Sequence, residues 1–156
     1  SFFIGNDFGS QNGPLLGEKQ FRRFILPHLK RLIDLGHRYG CKVAHHSCGA
    51  IKPLIPDLID CGLDILQSLQ PQAAGMELGR LKREFGRSLA LHGGIDLQGA
   101  LVHGSPEDVR DEVERKMELG KPGGGFIICT AHNIQADAPT ENVLALIEAY
   151  HDFRDY

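Results

Sequence analysis

The stretch CKVAHHSCGA at Cys41–Ala50 starts apolar, Lys42 aside, and ends in two histidines, a serine, a cysteine and a glycine. It reads as a β-strand running out into a polar turn. Side chains along a strand alternate between faces, so His46 and Cys48 point the same way if the strand holds to its end. A nitrogen and a soft sulfur donor then lie side by side where Gly49 lets the chain turn. Imidazole with thiolate suits zinc, whereas magnesium and calcium want oxygen ligands. Either residue alone is ordinary packing material at a strand end. The shared face, and a second metal-capable cluster at Cys129 and His132, make the pair a candidate ligand set.

The same strand-then-helix grammar repeats on both sides. Residues 1–6 form a strand that gives way to Asn6-Asp7-Phe8-Gly9. Helical spacing runs from Glu18 to about Tyr39, where Pro27 should kink or split the helix and Gly40 ends it. After the strand at 41–46, Pro53 and Pro56 suit the first turn of a helix reaching Cys61. Further strands are expected at 63–66, 88–91 and 124–129, with helices at 76–85, 106–119 and from 140 onward. Ser105 and Thr140 serve as N-caps, and Asp108 takes the capping-box position. No hairpin signal separates the units. Strands alternating with helices imply an α/β fold with a parallel sheet, either doubly wound or a (β/α)₈ barrel. Gly123-Gly124-Gly125 precedes a strand, not a helix, and reads as a turn, not a phosphate loop.

In both architectures ligands bind beyond the carboxyl ends of the strands. Asp7 and Gln11, His46 and Cys48, Gln67 and Gln70, His92 and Asp96, and Cys129 and His132 all fall there. Cys41 and Cys61 lie at the opposite end and read as core filler. His28, His37, His103 and His151 read as surface, and His45, facing away from His46, should pack beneath a helix.

At 156 residues and 42% hydrophobic, the chain can form one domain with a real core. A formal charge of −3 with interspersed signs leaves no basic footprint for nucleic acid and no polybasic membrane patch. A small-molecule partner is the expectation. No apolar run approaches the roughly 20 residues of a membrane span, and no signal peptide is visible. Four cysteines in a chain of this size are not a disulfide framework, so reduced thiols and a cytoplasmic location are expected. Ser1-Phe2-Phe3-Ile4 starts inside a strand without an initiator Met, which reads as a piece of something longer.

Asp7-Phe8-Gly9-Ser10-Gln11, the Pro27-containing helix, His46-Ser47-Cys48-Gly49, His92-Gly93-Gly94-Ile95-Asp96, and His132 followed by Pro139-Thr140-Glu141-Asn142 occur in an order that resembles the uroporphyrinogen decarboxylase superfamily. That superfamily holds true decarboxylases and zinc-dependent methyltransferases that work with corrinoid proteins. The resemblance implies a (β/α)₈ barrel, which normally takes about 250 residues. Five units cannot close that ring. The expectation is the C-terminal part of a barrel, about five strands and five or six helices, associated with its missing half or with itself.

In the methyltransferase branch a His-x-Cys pair and a later Cys hold zinc, and a thiol substrate takes a methyl group from the corrinoid. Here His46 and Cys48 match the pair. His132 takes the later position, with Cys129 as the alternative third ligand. The resemblance also implies catalytic roles for Asp7, Gln11, Asp96 and His132, and substrate contacts from Gln67, His92 and Asn133. The decarboxylase branch needs no metal and binds a tetrapyrrole bearing several carboxylates; His132 resembles its late histidine. An isolated, non-catalytic oligomerising module is the third expectation.

Overall fold

Strands β1 (Phe2–Gly5), β2 (Val43–His46), β3 (Ile65–Leu69), β4 (Ala90–Ile95) and β5 (Phe126–Thr130) form one sheet in that order. Every neighbouring pair is parallel. The computed structural model describes residues 1–155. Parallel neighbours need crossovers, which helices supply. Between β1 and β2 lie α1 (Glu18–Phe24) and α2 (Leu26–Arg38); between β2 and β3, a 3₁₀ turn and α3 (Ile55–Asp60). Then follow α4 (Leu78–Phe85), the single turn α5 (Ala100–His103), α6 (Pro106–Gly120) and, after β5, α7 (Thr140–Phe153). The architecture is an incomplete (β/α)₈ barrel.

Among the described residues, seven α-helices replace the expected five or six. Pro27 splits the first one: α1 stops at Phe24, and α2 restarts with the proline in its first turn, where no N–H is needed. α5 is one turn after β4 that carries no periodic signal of its own. β3 and β4 begin two residues later than expected and run further, to Leu69 and Ile95. Gln67 and His92 therefore sit inside the ladder, paired in register with each other. Thr140 is the first residue of α7, and the cap position belongs to Pro139. The Ser105–Asp108 capping box forms reciprocally, Asp108 N–H donating to Ser105 Oγ at 3.2 Å and Ser105 N–H to Asp108 Oδ2 at 2.7 Å.

The core lies between sheet and helices. Val43, Leu66 and Leu91 face the helices, which return Ile33, Leu58, Leu81 and Val113; all are fully or almost fully buried. Each such side chain contributes about 1.5–3 kcal/mol by leaving water. Close packing explains Gly36 on α2: a β-carbon there would sit 2.6 Å from Val43 Cγ2. Cys61 joins the core, whereas Cys41 is only half-buried, its Sγ 3.8 Å from Tyr39 O. His28, His37, His103 and His151 are exposed. No helix among the described residues is long and apolar enough to cross a membrane.

His45 does turn away from His46, into the core. Its ring is fully buried, stacked on Phe8 with centroids 4.9 Å apart, and neither nitrogen has a hydrogen-bond partner among the described residues. Burial, helped by the neighbouring His46, lowers its pKa to about 4. The folded state thus prefers the neutral ring, while the unfolded chain takes up a proton below its ordinary value of 6.5. The benefit of neutrality is complete above that pH and fades down to pH 4, a loss of about 3 kcal/mol. His45→Phe is expected to flatten this acid-side loss in urea unfolding measured from pH 7 to pH 4. An unchanged slope would assign the acid sensitivity elsewhere.

Candidate metal centre

The loop that leaves β2 is held on both flanks. Phe8 N–H donates to Ser47 Oγ at 2.9 Å and Ala50 N–H to Ser10 O at 2.7 Å, which ties it to the loop after β1. Ser47 N–H donates to Gln67 O at 2.7 Å and Gly49 N–H to Gln70 Oε1 at 3.0 Å, which ties it to β3 and the segment beyond. Gly9 and Gly49 meet backbone to backbone at the centre: a β-carbon on Gly9 would lie 2.7 Å from Gly49 C and 2.8 Å from Cys48 O. Cys48 is past the end of β2, so its direction comes from this braced turn and not from strand alternation.

The turn delivers Cys48 Sγ to 3.5 Å from His46 Nε2. His132, two residues beyond β5, completes a set in which one donor atom from each of His46, Cys48 and His132 lies within 4.8 Å of the others. The two imidazoles meet edge to face, centroids 5.9 Å apart. Zn–N and Zn–S bonds of about 2.1 and 2.3 Å at a tetrahedral angle span about 3.5 Å, the separation found between His46 and Cys48. Two imidazoles and a thiolate leave one tetrahedral position for a further ligand.

Surrounding groups orient the donors. His46 Nδ1 is hydrogen-bonded to Gln67 Oε1, and a carbonyl oxygen only accepts, so Nδ1 carries the proton and Nε2 offers its lone pair to the cluster. Gln67, expected to touch substrate, thus stands behind a donor. Asp7 Oδ1 accepts from Cys48 N–H at 2.8 Å and lies 3.4 Å from His46 Nε2. Burial pushes the Cys48 thiol pKa up, against a hydrogen bond with Ser68 Oγ 3.5 Å away. Cys129 is outside the set. Its Sγ donates to Thr130 O at 3.1 Å, and burial raises its pKa to about 11, opposed by Gln67.

A cavity of about 410 Å³ opens beside the cluster, walled by Asp7, Cys48, Asp96 and His132, with Asn133 and Asp137 from the loop after β5. Asp96, directly after β4, is buried, and Glu112 on α6 accepts from its N–H at 3.0 Å. Two expected members stand apart. Gln11 is exposed, contributes its backbone carbonyl to Ala74 N–H at 2.9 Å, and is not in the cavity wall. His92 is half-buried inside β4, where burial lowers its pKa, and does not line the cavity either. Ser68, Gln72, Glu112 and Asp137 were not singled out by sequence; they are common polar types whose placement comes from the fold.

The fold aligns with a solved structure described as a methyltransferase from Methanosarcina mazei, with a TM-score of 0.77 over 98% of this chain and 42% of that one, at 23% identity. A uroporphyrinogen decarboxylase of Azoarcus sp. (strain BH72) is 28% identical over 148 residues, 90% of this chain and 38% of that protein. One from Pseudoalteromonas translucida is 36% identical over 72 residues, 46% of this chain and 20% of that protein. The chain spans less than two-fifths of the length of these curated relatives. A family model described as uroporphyrinogen decarboxylase (URO-D) matches residues 6–153, and the chain belongs to that family.

Proposed function

We propose that this chain carries the zinc site of a methyltransferase that passes a methyl group from a corrinoid protein to a thiol or a similar small acceptor. The observation that carries this reading is the convergence of His46, Cys48 and His132 on one point at the edge of a cavity. Zinc bound there would lower the pKa of a thiol so that it is reactive near neutral pH. His46 would bind through Nε2, held in that tautomer by Gln67. Asp7 braces the Cys48 backbone, and Asn133 with Asp96 shapes the wall on which an acceptor would rest.

The second reading, uroporphyrinogen decarboxylation, is favoured by the names of the curated relatives. The wall contributed by this chain argues against it. Among the described residues it carries Asp7, Asp96 and Asp137 and no lysine or arginine. A tetrapyrrole bearing several carboxylates finds no counter-charge there. We also infer that the chain is the C-terminal portion of a barrel. Phe3 on β1 and Ile127 on β5, 55% and 45% exposed, are edge-strand positions that further strands or a second copy would cover.

The deciding experiment incubates the zinc-loaded protein, in the longest form that folds, with a methylated corrinoid protein and a thiol. Thioether formation that requires zinc supports the proposal. Carbon dioxide release from uroporphyrinogen III without metal replaces it with decarboxylation. A concentration-dependent mass with neither activity replaces it with an oligomerising module.

A further inference from the structure

The wall of the cavity is one-sided in charge. Asp7, Asp96 and Asp137 line it, and the remaining polar lining includes the neutral amides of Gln70, Gln98 and Asn133. Asp96 is the informative member because it is only 8% exposed. Its Oδ1 accepts from Gln98 N–H at 2.8 Å and its Oδ2 from Gln72 Nε2 at 2.5 Å. Those are neutral donors. None of the ion pairs found among the described residues includes Asp96. The buried cation on α6, Lys116, has its Nζ 3.9 Å from Glu112 Oε1 and acts on Asp96 through space without pairing with it. A carboxylate so deeply buried ordinarily has a charged partner. Here no cation among the described residues pairs with it directly, and it forms part of the cavity wall.

Resting on the zinc reading above, we propose that the acceptor bound in this cavity carries a cationic amino group, received by Asp96 and Asp137 of its wall, while its thiol end reaches His46, Cys48 and His132. The acceptor class is therefore an aminothiol, not a thiol bearing a carboxylate or sulfonate. Each carboxylate oxygen can accept more than one hydrogen bond, so an ammonium fits without displacing Gln72 or Gln98. Leu97, Val102 and Ala138 give the cavity an apolar side, suited to the short alkyl chain joining the two ends. An anionic acceptor would meet like charge and no compensating cation in this wall. Like-charge placement is a means of rejecting wrong ligands as much as opposite charge is of attracting right ones.

The test uses three probes of similar size: 2-aminoethanethiol, 2-hydroxyethanethiol and 3-mercaptopropionate. They are titrated into cobalt-substituted protein, read by thiolate-to-cobalt absorbance, and into metal-free protein, read by NMR shifts of the Gln98 and Asn133 amides. The expected order of affinity is cationic, neutral, anionic, with at least a tenfold step from the first to the second. Asp96→Asn, which keeps the size and hydrogen-bonding reach of the side chain, should shrink that step to threefold or less. Loss of the cobalt signal with the order kept in metal-free protein would sink the zinc reading and retain the cationic subsite. Normal cobalt binding with no preference, or with the anion preferred, would overturn the subsite and retain the metal. A preference that survives Asp96→Asn would also overturn it, because the charge responsible would lie elsewhere.

Discussion

Replacing His46 or Cys48 with alanine is expected to abolish zinc binding, from about one ion per chain to none after dialysis, because a three-donor site cannot lose a donor and stay selective. His132→Ala should do the same. The effects are graded by role. Gln67→Ala removes the group that fixes the His46 tautomer, not a donor, and should weaken zinc by about 10–100-fold. Cys129→Ala should leave the ion in place, since its sulfur is turned to Thr130 O and held as a thiol by burial. Affinity should also fall as pH falls: Cys48 must lose a proton to bind, and burial has raised its pKa. Metal content by mass spectrometry, with competition titrations against a chelator, reads all of these. Zinc lost from Cys129→Ala and kept in His132→Ala would reverse the choice of third donor.

The parallel β/α succession was legible because its signals are local. Helical periodicity, Pro27, Ser105-Pro106 and the glycines after helices each act within a few residues. His46 and Cys48 were legible as a pair, though for a reason that proved incomplete. Alternation requires a strand, and β2 stops at His46; what aims Cys48 is the turn braced by Ser47, Gly49 and the loop after β1. His132 came from the resemblance, by its distance from Glu141-Asn142. Nothing in its own neighbourhood separates it from Cys129, and only the path of the chain after β5 does. Gln67 lies on the rim the sequence points to, and its hydrogen bond to His46 is not visible there. The β2–β3 register that pairs it with His46 is a long-range fact that spacing does not carry. The same holds for Gln72 and Glu112, which reach Asp96 from 24 and 16 residues away.

Gly49→Ala is expected to be the most damaging small substitution near the site. Two separate costs meet there. Gly49 has φ +86°, where a side chain costs about 1–2 kcal/mol. An added β-carbon would also lie within 2.7 Å of backbone atoms of Gly9 and Ser10, which cannot rotate away as a side chain could. Overpacking of that kind adds about 1–3 kcal/mol. The sum is about 3 kcal/mol, or about 10 °C in Tm for a domain of this size. Three further glycines separate the costs. Gly40 has φ +70° with nothing within 4 Å, so Gly40→Ala carries only the conformational part. Gly9 approaches the Cys48–Ala50 backbone without a positive φ, so Gly9→Ala carries only the steric part. Gly13 has neither feature, and Gly13→Ala should be silent. The steric pair should cost zinc affinity as well as stability, because forcing the two loops apart moves Cys48 and Asp7, whereas Gly40→Ala should leave zinc affinity alone. If Gly49→Ala costs no more than Gly40→Ala in calorimetry, the two loops do not interlock, and Cys48 is aimed by something other than the turn that carries it.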